Sequence, residues 1–348
     1  MNFVSTLLVL TSTILVMFCT KCGSYFTLPF SYGAHKIYSG AEFVKCSFVE
    51  CCTDEYVSPD IDKLNDILIK ELYGQEIARQ AIINALRGHL TTNPPKALSM
   101  SFHGPPGTGK TYISQLIAKF LYKYGEESKY FHFFNGRNDF PLESKVDEYK
   151  EELYKIIISG LDKCERSMFV FDEVDKMPEG LLDVLVQFLD YNTSIKSWRY
   201  TSSSINTRKA IYIFLSNTGS SRIIQYLLTL WQQGKSRQAA RLQDFEYLTS
   251  VGAFNEKGGF HHSDAIQSNV IDHYIPFLPL EETHVRKCLE KAFINRDVNP
   301  TSEMIEEGLS YVIFGPPPHN LYATAGCKRL EQKVASIIYA KKTKRTDL

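Results

Sequence analysis

Apolar positions between Ile61 and Leu90 fall at helical spacing. Leu64, Ile67, Leu68 and Leu72 mark one face, Gly74-Gln75 interrupts it, and Ile77, Ala81, Ile82, Ala85, Leu86 and Leu90 resume it. Asn93-Pro94-Pro95 stops that helix. Leu98 to Phe102 then reads as a short strand running through His103-Gly104 into a Gly/Pro loop, and Thr111 to Tyr124 as a helix with Ile113, Leu116, Ile117, Phe120 and Leu121 inward. Tyr130 to Phe134 reads as a strand, and Val146 to Ser159 and Leu181 to Leu189 as helices. Met168 to Phe171 and Ala210 to Leu215 are apolar throughout, the pattern of strands covered on both faces of a parallel sheet. Strands alternating with helices predict an α/β fold with a doubly wound parallel sheet.

After Ile275-Pro276 the strands are expected to stop, and Glu281 to Ile294, Ser302 to Tyr311 and Gly326 to Lys341 read as helices. The expected organisation is a large domain over residues 59–275 and a small helical domain over 276–348. At the other end, Met1 to Thr20 carries no charged side chain and Leu7 to Phe18 has the length of a signal-peptide core. The polar residues Ser5, Thr6, Thr11, Ser12 and Thr13 interrupt it, so it is short for a membrane span. A signal peptide over 1–22 is the expectation, an uncleaved anchor the alternative, followed by an aromatic, Cys-rich leader over 23–58.

Composition narrows the functional classes. With 44% hydrophobic and 22% charged residues in 348, the chain is globular, and Lys+Arg and Asp+Glu balance at 39 each, so nothing steers it toward nucleic acid. Six of its cysteines, Cys46, Cys51, Cys52, Cys164, Cys288 and Cys327, lie beyond the signal region and suit an oxidising compartment, although spacing alone does not pair them. Asn192-Thr193-Ser194 is a glycosylation sequon that only a luminal surface would use.

The chemistry concentrates in four places. Gly104-Pro105-Pro106-Gly107-Thr108-Gly109-Lys110-Thr111 matches G-x-x-x-x-G-K-[ST] between an expected strand and an expected helix, the context a triphosphate-binding loop requires. Glycines let backbone N–H groups turn toward phosphates at a helix N-terminus, Lys110 would reach the β- and γ-phosphates, and the Thr111 hydroxyl would coordinate Mg²⁺. Met168 to Phe171 ends in Asp172-Glu173, 62 residues beyond Lys110 (172 minus 110). Asp172 would hold the magnesium shell and Glu173 would act as general base on the attacking water. Asn217, at the end of the strand Ile211 to Leu215, would orient that water, and Lys328, expected early in the last helix, would reach the phosphates from the small domain.

With those elements in order the chain resembles the AAA+ superfamily, within it the Clp-related torsins, from about Tyr56 to the C-terminus. Leu72-Tyr73-Gly74-Gln75 to Ala85 is similar to the helix that opens Clp-type and torsin ATPase domains, Phe171 to Met177 with Gly180-Leu181 to the torsin Walker B stretch, and Phe214 to Asn217 with Gly219 and Arg222-Ile223 to the torsin sensor 1 segment. Gly326-Cys327-Lys328 resembles the torsin sensor 2 motif, where Clp-type relatives carry arginine. The resemblance implies a Cys288–Cys327 disulfide that links redox state to nucleotide binding. Thr111 stands where torsins usually have asparagine, and Pro105-Pro106 also departs from them, which returns the loop to the ordinary AAA+ form.

A stretch like Asn-Arg-Ile-Asp supplies an arginine finger in Clp-type relatives. Here it reads Asn269-Val270-Ile271-Asp272. The resemblance therefore implies an ATPase of the endoplasmic reticulum lumen and nuclear envelope, weak alone. The luminal domain of a membrane-bound activator would donate the arginine. A homo- or hetero-oligomer would remodel protein or membrane-linked complexes as a chaperone, with peripheral membrane association an option. The alternatives are a non-hydrolysing ATP-dependent scaffold and a Clp-like unfoldase.

Overall fold

The computed structural model describes Cys46 and residues 49–191, 194–196 and 204–346. The expected signal peptide, most of the leader and Asn192 lie outside the described residues. The chain divides into two compact units, Met1–Cys51 and Cys52–Leu348. In the first, Cys46 is bonded to Cys51. All that follows concerns the second.

Its centre is a five-stranded sheet of β1 (Leu98–His103), β2 (Phe131–Asn135), β3 (Met168–Asp172), β4 (Ile211–Ser216) and β5 (His273–Pro276), in the order β2-β3-β4-β1-β5. Every pairing is parallel. Because side chains alternate across a strand, each apolar run feeds two cores. Met100, Phe102, Met168, Val170, Ile211, Ile213 and Leu215 point to one face. There they pack against α1 (Ile61–Glu71), α2 (Glu76–Thr91) and α3 (Lys110–Leu121). Phe134, Phe169, Phe171, Tyr212 and Phe214 point to the other, toward α4 (Val146–Lys163). On that second face the rings form a ladder along the register, with centroids 5.1 Å apart for Phe134–Phe171, 5.2 Å for Phe171–Phe214 and 5.1 Å for Phe169–Tyr212. Such offset ring pairs add to area burial and lock the strand order.

The periodicity expected α1 through β4 within a few residues of where they lie. Three local differences have plain causes. Leu181–Leu185 is a 3₁₀ turn before a short α-helix at Val186–Leu189, entered through the left-handed Gly180. Strand β5 carries Tyr274 and Ile275 onto the β1 edge, and a pattern so short and mixed does not announce a strand. Beyond it the strands do not stop altogether: Phe314–Gly315 pairs with Tyr322–Ala323 in a small antiparallel ribbon.

Helices α5 (Ser220–Gln232) and α6 (Leu242–Asn255) link β4 to β5. The C-terminal region is helical, with α7 (Glu282–Ile294), α8 (Ser302–Ser310) and α9 (Leu330–Thr346) closing their own apolar cluster around Leu289, Phe293, Leu309 and Val334. Gln75 ties that region to the helices ahead of the sheet: its buried amide donates to Leu278 O and accepts from Leu278 N, both at 2.7 Å. Cys52 and Cys164 are bonded across a separation of 112 residues. No helix among the described residues is long and apolar enough to cross a membrane.

Candidate functional site

A parallel sheet delivers the carboxyl ends of its strands to one edge, and the loops that leave them converge there. That edge opens on a cavity of about 550 Å³ lined by residues from the loop after β1, the ends of β2, β3 and β4, the end of α1 and the C-terminal region. Asp172, Glu173 and Asn217, far apart in sequence from Asn135, meet it there because each lies at or just beyond the end of a strand.

The loop of Gly104 to Gly109 wraps the start of α3, and Gly109, at φ 104°, leaves that helix without a side-chain cap, so its first N–H groups face the cavity. Gly107 has φ 72°, and a Cβ on it would stand 2.1 Å from Ala325 O of the C-terminal turn; only glycine admits that approach. The contact is completed by Cys327 N, which donates to Gly107 O at 3.0 Å. Thr108 turns inward, its hydroxyl donating to Pro105 O at 2.8 Å.

Lys110 is buried, and its ammonium donates to Gly104 O at 2.5 Å, Pro105 O at 2.9 Å and the Asn217 side-chain oxygen at 3.1 Å. Burial pulls its pKa down to about 8, against the attraction of Asp175 and Asp172. This is a cation held by neutral acceptors at the bottom of a cleft, the condition in which an anion is welcome. Thr111 donates to Asp172 Oδ2 at 3.1 Å, and Asp172 Oδ1 accepts from Glu173 N at 2.8 Å. Burial pushes the Asp172 carboxyl up, more than these hydrogen bonds hold it down. A hydroxyl and a carboxylate together are hard oxygen donors, and a cation there would relieve the desolvated charge, so the pair fits a magnesium ion.

Glu173 has φ 53°, in the left-handed region that a non-glycine residue occupies at a cost, and its carboxylate pairs with Arg137 at 2.7 Å. Asn217 is fixed by Asp175, whose Oδ1 accepts from Asn217 N at 3.1 Å and from its side-chain amide at 3.3 Å. Burial opposes ionisation of Asp175, but the Asn217 amide and Lys176 outweigh it and hold the carboxyl below its usual range. Lys328 lines the cavity from an exposed position, but it sits in the turn before α9, which starts only at Leu330. The expected helical setting is thereby corrected: Gly326, at φ 51° against Gly107 O, demands a turn there.

Cys288 on α7 and Cys327 are bonded, and both line the cavity. Val270 is buried and Asp272 accepts from Ser99 while pairing with Lys96 at 2.7 Å, so the segment that would carry a finger is engaged in the fold.

Four participants went unread in the sequence: Arg137, Asp175, and the pair Glu71 and Tyr112, whose hydroxyl donates to the Glu71 carboxylate. Lys291 of α7 donates to the same carboxylate at 2.8 Å. Asp175 could have been found as the next acidic residue after Asp172-Glu173. The others have no local signal.

The torsin family model matches residues 46–171. A torsin-like protein of Drosophila melanogaster is 41% identical over 304 residues, covering 86% of this chain and 87% of that one. The chain belongs to the torsin family. A torsin-like protein of Caenorhabditis elegans, 34% identical over 294 residues, covers 83% of this torsin and 81% of its own length. Among solved structures, the S. cerevisiae Hsp104–ADP complex superposes with a TM-score of 0.57 at 20% identity, over 82% of this chain. A closed-state Hsp104 reconstruction with ATPγS and FITC casein gives 0.55 at 18% identity, again over 82%. This torsin spans about half the length of those Hsp104 chains (48%), and the likeness establishes that its fold is the AAA+ fold.

Proposed function

We propose that this torsin is an ATPase that binds ATP in the 550 Å³ cleft and hydrolyses its γ-phosphate, using the energy to remodel protein or membrane-linked complexes. The observation that carries the reading is the buried Lys110 ammonium at the mouth of a helix N-terminus, opposite the Asp172–Thr111 pair. Lys110 and the N–H groups of the loop bind the phosphates, with Lys328 approaching from the C-terminal region. Thr111 and Asp172 would hold a magnesium ion, which would supply charge neutralisation at the phosphates. Asn217 orients a water, Glu173 takes its proton as the oxygen attacks phosphorus, and the bond to the bridging oxygen breaks to leave ADP and phosphate.

Buried Val270 in the finger segment supports slow hydrolysis by the chain alone, with the missing arginine donated by the luminal domain of a membrane-bound activator on an assembled homo- or hetero-oligomer. Three disulfides support residence in the endoplasmic reticulum lumen and nuclear envelope, where thiols oxidise. Glycosylation of Asn192 in cells would mark that compartment. The decisive measurement is nucleotide binding by Lys110→Ala: affinity unchanged from wild type would end this reading. Brisk turnover by the purified chain without a partner would end the activator reading alone.

A further inference from the structure

The turn between α1 and α2 meets the crossover between β5 and α7, and both lead straight into the cleft. Glu71, Leu72 and Tyr73 line it just ahead of the turn, and α7 brings Cys288 to it just after the crossover. Gly74 has φ 68°, and a Cβ there would stand 2.8 Å from the His284 ring, so the turn is pressed against α7. Leu72 reaches the phosphate loop in the same way, since a Cβ on Gly109 would stand 2.9 Å from Leu72 Cδ1. A parting of the turn from the crossover therefore shifts residues on both walls of the cleft.

Two side chains tie these segments together. Gln75 does so from within the turn, through its amide and the Leu278 main chain. Arg237 does so from outside both, in the 3₁₀ turn Arg237–Ala239 between α5 and α6. Its side chain is only 9% exposed. Nη1 donates to Pro279 O at 2.6 Å and Nη2 to Gly74 O, partners 42 and 163 residues away. Glu281 Oε1 lies 3.5 Å from Nη1. Arginine keeps its charge when buried, and its planar fork fixes the angle between the two donors. Without that cation the two carbonyl oxygens lose a charged donor and are left facing one another, which drives the segments apart.

We propose that Arg237 is a positioning residue for nucleotide retention: it clamps Gly74 to Pro279, and the clamp sets how long a nucleotide stays in the cleft. The inference rests on the reading that the cleft binds nucleotide. Arg237 is not among the residues that line the cleft, so it acts through the two segments it joins. A ligand held by both walls favours the clamped arrangement, and by linkage the clamped arrangement favours the ligand to the same degree. The bond-breaking groups stand on strand ends that the clamp does not touch. Loss of Arg237 therefore changes retention and leaves the chemical step alone.

The test loads the full-length mature protein with mant-ADP and times its release on adding excess ATP, beside single-turnover hydrolysis of bound ATP. Arg237→Met keeps the bulk of the side chain and removes its donors. Release is expected to quicken roughly tenfold, the worth of one charge-assisted hydrogen bond, with the single-turnover rate unchanged. Arg237→Lys keeps a charge that can reach one carbonyl, so its release should fall between wild type and Arg237→Met; it also serves as the second variant should Arg237→Met fail to fold. In the wild type, nucleotide should slow hydrogen exchange of the Leu278 amide beside the clamp. Release from the variants at the wild-type rate overturns the proposal. A loss of single-turnover rate as large as the gain in release overturns it too, since Arg237 then serves the fold at large. So does exchange at Leu278 that ignores nucleotide. If Lys110→Ala holds mant-ADP as the wild type does, the cleft reading fails first, and the clamp fails with it.

Discussion

The two walls of the cleft are built by different physics. The sheet wall presents Lys110 from the start of α3 and Asp172, Glu173 and Asn217 from the ends of buried strands, backed by a ladder of stacked rings and by Asp175. The C-terminal wall belongs to a separate apolar cluster. It meets the cleft through one backbone hydrogen bond to Gly107, one disulfide, the exposed Lys328 and the Lys291–Glu71–Tyr112 chain. The groups proposed to make and break bonds thus stand on the wall backed by the sheet, and those proposed to retain or release a ligand stand on the wall that rests on its own cluster and is tied to the rest through Gln75 and Arg237.

Disruptions of the two walls should therefore separate chemistry from retention. Glu173→Gln should keep ATP bound while lowering turnover by about 10²- to 10⁴-fold, the usual contribution of a positioned base, measured as single-turnover phosphate release. Lys110→Ala should weaken nucleotide affinity by about 2–5 kcal/mol, since it removes a buried cation from a charged contact, measured by calorimetry. If instead Glu173→Gln lost binding and Lys110→Ala lost only turnover, the assignment of roles along the sheet wall would be reversed.

On the other wall, Cys327→Ser opens a loop of 39 residues and should cost roughly 2–4 kcal/mol of stability, read from denaturant unfolding, together with weaker nucleotide binding. Cys164→Ser, which opens the 112-residue link far from the cleft, is the control: comparable stability lost, affinity kept. Equal effects on affinity would erase the distinction between the walls.

The protonation of Lys110 sharpens it further. Its pKa is about 8 in the fold and 10.5 in the open chain, so the folded protein binds fewer protons than the unfolded one between those values. The contribution of Lys110 to stability therefore rises as pH climbs from about 8 toward 10.5, while its charge, and with it phosphate affinity, is lost over the same climb. Opposite slopes for unfolding and for nucleotide binding, both absent in Lys110→Ala, are the expected result. Smallest of all, Glu71→Gln should loosen nucleotide by less than about fivefold, as befits a partly exposed ion pair, and leave the rate of the bound state unchanged.

How much of this was legible beforehand follows the same division. The strands, the phosphate loop and the Asp172-Glu173 pair could be read because each is a contiguous run in which an apolar strand hands over to a polar turn. Lys328 was found but misplaced, since the helical pattern extends past the turn that Gly326 imposes. Arg137, Glu71 and Lys291 could not be read as site residues at all: each is an ordinary charged residue on a helix or turn, and its role comes from the residue it faces.

By itself, the order of apolar and polar residues determined a parallel sheet with the glycine-rich Gly104–Thr111 loop at its edge, because strand burial and loop chemistry are local properties that the chain carries wherever it folds. Only the tertiary structure decided how Cys46, Cys51, Cys52 and Cys164 bond, that the finger segment is engaged by Lys96 and Ser99, and that Glu173 faces a guanidinium. Those depend on distances between residues tens to hundreds of positions apart, which a linear pattern does not encode and close packing sets.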